Sequence, residues 1–93
     1  PVRPPSGSLG DIRAHQGRNI LVAGRASDPD GTPTMFVADV VNGKTDWHLF
    51  DSSNGYFLSA FPASPGKHTT CVAVLDNPTG AATMLGCRDT VIK

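Results

Sequence analysis

Two cysteines carry the sharpest chemical signal in this chain. Cys71 and Cys87 stand on either side of the turn signal Asp76-Asn77-Pro78-Thr79-Gly80, each inside an apolar run. If the two runs form one antiparallel hairpin, paired residues share a common midpoint, and the midpoint of the cysteines falls on Thr79, inside the turn. The thiols then face each other across the ladder at a separation a disulfide can bridge. Closing a loop of about 16 residues is worth roughly 3 kcal/mol in the chain-entropy picture. For a 93-residue chain that is a large share of total stability. The alternative is two unrelated buried thiols. A bridge implies an oxidising, extracytoplasmic compartment.

Asp28-Pro29-Asp30-Gly31 sets two carboxylates two residues apart before a glycine, a pattern able to offer oxygens to calcium. The ion takes about six or more ligands, and Asp46, Asp51 or Asp76 can contribute only through the fold. A Pro-Asp-Gly turn with Asp capping backbone amides is the simpler reading. His15, His48 and His68 are scattered over three segments without ligand spacing, so no metal site and no cofactor is expected. Neither a Gly-x-Ser-x-Gly elbow, nor a His-Glu-x-x-His motif, nor a phosphate-cradling glycine loop occurs, so the chain is not expected to be an enzyme. Trp47, His48 and Phe50, with Tyr56 and Phe57 shortly after, lie in a polar stretch that reads as an edge strand or loop. Exposed rings there would stack on sugar faces or anchor a protein interface; alternatively they cover the core. Asn77-Pro78-Thr79 looks like a glycosylation sequon, but proline at its middle position forbids the modification.

Positioning such residues falls to short strands. Ten glycines and eight prolines break the chain often, and no apolar period of 3.6 residues is sustained over three turns. Leu9 to Ala14, Asn19 to Ala26, Thr34 to Val41, Thr45 to Phe50, Tyr56 to Phe61, His68 to Leu75 and Thr83 to Ile92 read as seven strands. Turn signals separate them, Asn42-Gly43 being a favoured two-residue hairpin turn. Seven short antiparallel strands predict a sandwich of two sheets. Alternation puts Ile20, Val22, Gly24 and Ala26 inward, with Val72 and Val74, and adds Tyr56 and Leu58 to them. Thr34–Val41 is ambiguous: Phe36, Ala38 and Val40 form a wholly apolar face, whereas Met35, Val37 and Val41 share theirs with Asp39. Phe57 and Phe61 on the opposite side of their strand suggest a second apolar surface for a neighbouring domain.

Eight Lys and Arg balance eight Asp and Glu, which argues against nucleic-acid binding by charge and gives no reason for an anionic-membrane partner. No apolar stretch has the length of a membrane span. Residues 1–8 (PVRPPSGS) read as a Pro/Gly/Ser linker and residues 9–93 as one domain. A removed signal peptide and a domain cut from a longer protein both account for this start, and a proline-rich leader favours the second.

Several strings then resemble one family. Val22-Ala23-Gly24-Arg25-Ala26-Ser27-Asp28-Pro29-Asp30 is similar to the V-x-G-W-A-x-D-P-D of immunoglobulin-like (fibronectin type III-like) accessory domains in secreted actinobacterial cell-wall proteins. Val40–Gly43, Asn54-Gly55-Tyr56, Ser64–Val72 and Leu85-Gly86-Cys87-Arg88 resemble further stretches of that family in the same order. Arg25 stands where the family usually has Trp, and Asp39 where an apolar residue is expected. The resemblance implies an immunoglobulin-like sandwich in an exported, wall-associated protein, and no catalytic residues. The expected function is a non-catalytic accessory, binding or spacer module, monomeric within a longer chain. It would touch cell-wall glycan or a protein partner through Trp47, His48, Phe50 and Tyr56 or through a sheet face. The alternative is a stand-alone recognition domain, an adhesin module or an inhibitor, binding by a loop or edge strand.

Overall fold

Alternating apolar residues between glycine and proline breakers give strands wherever the spacing calls for them. The computed structural model describes residues 4–29, 33–76 and 79–93. Its strands are β1 (Ser6–His15), β2 (Asn19–Ser27), β3 (Thr34–Val41), β4 (Lys44–Asp51), β5 (Tyr56–Pro62), β6 (Gly66–Leu75) and β7 (Ala82–Ile92). They form two antiparallel sheets, β1-β2-β5 and β4-β3-β6-β7. The expected seven-stranded all-β sandwich is therefore the fold. The calcium candidate Asp30 lies outside the described residues.

Turn chemistry sets the registers. Asn42 and Gly43 both take positive φ (52° and 76°), the pair of left-handed residues a type I′ hairpin needs, and β3 pairs β4 without a slip from Thr34↔Asp51 to Val41↔Lys44. Asn54 and Gly55 repeat the device at 53° and 82°, where Ser53 and Tyr56 exchange two backbone hydrogen bonds.

The core lies between the sheets. Ile12, Ile20, Val22 and Ala26 come from β1 and β2, and Met35, Val37, Val72, Val74 and Ile92 from β3, β6 and β7. Phe57 and Phe61 complete it from β5, which inverts the face expected for that strand: Tyr56 and Leu58 point out, Leu58 being 70% exposed. The reason is volume. A phenylalanine pair removes more apolar area from water than Tyr56 and Leu58, and leaves no phenol to satisfy. Gly24 admits this packing, since a Cβ there would stand 2.6 Å from the Phe57 ring.

Within residues 1–8, expected as a linker, the strand β1 already begins at Ser6. Ser6, Gly7 and Ser8 are strand residues paired with Ser27, Ala26 and Arg25, and Pro5 is fully buried. Backbone pairing does not need apolar side chains, and the Pro5 carbonyl accepts a hydrogen bond from Thr83 Oγ1 at 2.7 Å, tying β1 to the start of β7. Gly10 is the extra residue of a bulge between Leu9 and Asp11. Along that side Arg88 reaches Asp11 at 3.4 Å, and Leu9 packs beside Gly86.

Cys71 pairs directly with Cys87 and is bonded to it, with Cα atoms 4.0 Å apart. Both side chains lie on the outer face of the four-stranded sheet, because Val72 and Val74 occupy the inner positions of β6. Replacing both cysteines by alanine is expected to lower unfolding free energy in urea by about 3 kcal/mol. The far-ultraviolet circular dichroism of the folded state should be unchanged, as the bridge takes no part in the core.

Candidate functional site

The aromatic group singled out in the sequence does not converge. On β4, Trp47 points outward and is 60% exposed, whereas His48 and Phe50 point between the sheets. His48 stacks on Phe61 with ring centroids 4.1 Å apart, and Phe50 meets Phe57 at 6.1 Å. These two close the sandwich along the β4–β5 side. Tyr56 lies on the outer face of the other sheet, with the Arg25 guanidinium 5.4 Å from its ring centre. Thus one of the four, Trp47, belongs to the larger exposed surface.

That surface is the outer face of β4-β3-β6-β7. Two rows of cross-strand neighbours run across it: Trp47, Ala38, Cys71 and Cys87; then Leu49, Phe36, Ala73 and Met84. Leu49 is 64% and Met84 63% exposed, and Phe36 lies against Trp47 with centroids 4.9 Å apart. Val40, part-exposed, extends the field toward the hairpin turn. The only side-chain hydrogen-bonding group in these two rows is the Trp47 indole N–H. A polar rim lies toward the β7 C-terminal end. There Thr69 Oγ1 donates to Asp89 at 2.7 Å, with Lys67 Nζ at 3.5 Å, and together they hold the Asp89 carboxyl below the usual carboxylate range, Thr69 contributing more.

Leu49, Phe36, Val40 and Met84 were not among the expected contact residues. A signal was present in the all-apolar alternation Phe36-x-Ala38-x-Val40, whose face could not be assigned. The structure assigns it through Asp39. This carboxylate is buried on the inner face of β3, where Oδ2 lies 2.7 Å from His68 Nδ1 and Oδ1 accepts from Thr70 Oγ1 at 3.0 Å. His68 Nε2 donates to the Ser64 carbonyl at 2.6 Å. All three side chains are buried, so the network is closed to solvent and its histidine has both ring nitrogens engaged.

The remaining candidates lie outside that face. Asp28 lines a polar cleft of about 440 Å³ with Pro33, Ser52, Ser53, Asn54 and Gly55. Asp76, just beyond the end of β6, is fully buried; its Oδ2 accepts from Thr79 Oγ1 at 2.5 Å, and its Oδ1 has no hydrogen-bond partner among the described residues. Among those residues no three acidic, histidine or cysteine side chains gather closely enough to hold a metal ion.

No family model, no curated protein and no solved structure matches this chain.

Removing one member of the buried network leaves the others desolvated. His68→Ala is expected to cost about 3–5 kcal/mol in chemical denaturation, while Thr70→Val, which deletes one hydrogen bond to the carboxylate, costs about 1 kcal/mol.

Proposed function

We propose that this chain is a non-catalytic docking module of an exported protein, engaging a protein surface through the outer face of β4-β3-β6-β7. The observation that carries this reading is the continuous apolar field of Trp47, Leu49, Phe36, Val40 and Met84. Large apolar side chains gathered on one face mark an interaction site, whereas isolated ones are ordinary surface. Chemistry favours protein over glycan as the occupant. Sugar recognition pairs a stacked ring with several hydrogen-bonding side chains, and the two central rows offer only the Trp47 N–H.

Further support concerns the setting. The disulfide fits an oxidising compartment. No helix among the described residues is long and apolar enough to cross a membrane. Seven antiparallel strands put Pro5 beside Thr83 at one end and Lys93 beside Gly17 and Pro62 at the other, along a principal axis of 45 Å. The start of β1 and the end of β7 thus lie at opposite ends of the sandwich, a geometry suited to a spacer. The three-plus-four strand order agrees with the immunoglobulin-like resemblance, and association with an actinobacterial cell wall rests on that resemblance alone.

A photo-crosslinking amino acid at Leu49, introduced into the exported protein, tests the reading. The expected product is a covalent adduct with a polypeptide, identified by mass spectrometry, and its yield should fall with Met84→Glu. An adduct with glycan, or none in the complete secreted fraction, would overturn docking to protein.

A further inference from the structure

The four sheet edges are not equally defended. An edge strand exposes a row of unpaired amide and carbonyl groups and will add another strand unless something blunts it. β1 carries the Gly10 bulge, and β7 carries a register shift opposite Val72 and Ala73; these two strands also lie against each other. β5 ends on Pro62. β4 has none of these devices. Its eight residues, Lys44–Asp51, contain no proline, no glycine and no bulge, and among the described residues no strand flanks them on the side away from β3.

We propose that β4 is a self-association edge, pairing antiparallel with β4 of a second copy about a two-fold axis through Trp47. The choice of occupant rests on self-complementarity. For the outer faces of two copies to run on as one sheet, the axis must pass through a residue, since a half-step would join the outer face of one copy to the inner face of the other. An axis at Asp46 sets two carboxylates opposite each other. At His48, histidine meets histidine and Asp46 faces Phe50. Centred on Trp47, Asp46 faces His48 of the second copy on both sides of the axis, Thr45 faces Leu49, and the two indoles meet at the centre. Asp46 is an exposed charge on the sandwich-facing side of an edge, ordinarily a deterrent to pairing. With the axis on Thr45, Asp46 would face Lys44, but only Lys44–Asp46 of each strand would then pair. Among registers that pair five or more residues of β4, the one centred on Trp47 alone gives Asp46 a partner, so it selects the register. A formal net charge of zero and a pI of about 7.3 remove long-range repulsion between copies. The resulting eight-stranded sheet doubles the apolar field without covering it, so this pairing stands independently of what docks on the face.

Sedimentation equilibrium between about 10 μM and 1 mM, a range suited to weak edge pairing, tests the proposal. The apparent mass should rise with concentration from 9.7 kDa toward twice that value. Asp46→Lys, at an exposed position, should weaken association by about tenfold or more, with circular dichroism unchanged. Cysteine placement reads the register. Oxidised Trp47→Cys should form a covalent dimer, because the axis brings its two Cα atoms within disulfide reach. Leu49→Cys should not, because its copies lie four strand positions, about 13 Å, apart. A constant mass of 9.7 kDa at every concentration, or faster dimerisation of Leu49→Cys than of Trp47→Cys, would overturn it.

Discussion

A single buried carboxylate decides which way β3 faces. Asp39 joins His68 and Thr70 on the inner side of the sheet and gives each a hydrogen-bond partner there. β6 has no freedom of its own: Val72 and Val74 must be inward, so His68 and Thr70, in phase with them, are inward too. Left unpaired in the core, each would cost about 1–3 kcal/mol. The opposing preference is slight. Turning β3 over would exchange Met35, Val37 and Val41 for Phe36, Ala38 and Val40, two sets of comparable apolar area. Polar satisfaction therefore outweighs apolar content, and the Asn42-Gly43 turn agrees with the register it selects.

The exposed face is a consequence of that choice. Because Asp39 is inside, Phe36, Ala38 and Val40 are outside, and β4, paired without a slip, presents Trp47 and Leu49 beside them. The cystine lies in the same outer row, so its stabilising action falls mainly on the unfolded chain and leaves core packing to the aliphatic residues. Apart from Tyr56 and Leu58 on the outer side of β5 and Val91 on β7, the large apolar residues thus fall on two surfaces. One is the sealed interior between the sheets, closed at one side by β1 against β7 and at the other by His48 on Phe61 and Phe50 near Phe57. The other is an open field on the outer side of the four-stranded sheet, exposed to water.

How much of this the chain discloses depends on how local the signal is. Strand positions, the Asn42-Gly43 turn and the Cys71–Cys87 pairing are legible because breakers and hairpin arithmetic act within a few residues. Alternation alone gives the wrong face for β5, since the choice between Phe57 with Phe61 and Tyr56 with Leu58 depends on Gly24 leaving room across the sheet. The start of β1 escapes it because Ser6–Ser8 are held by backbone pairing, to which side-chain hydropathy is blind. Trp47, His48, Phe50 and Tyr56 are near neighbours in sequence, yet strand alternation and a change of sheet distribute them over two outer faces and the interior. The face of β3 is undecidable from its own residues; its determinant, His68, is 29 positions away.

A nuclear Overhauser experiment on the oxidised chain tests this dependence most directly. The account predicts contacts between the His68 ring and the Asp39 β-protons, together with contacts between the Phe36 and Trp47 rings on the far side of the same strand. Contacts from Phe36 to Ile20 or Phe57, with the Asp39 β-protons in solvent, would mean that β3 faces the other way and would contradict it.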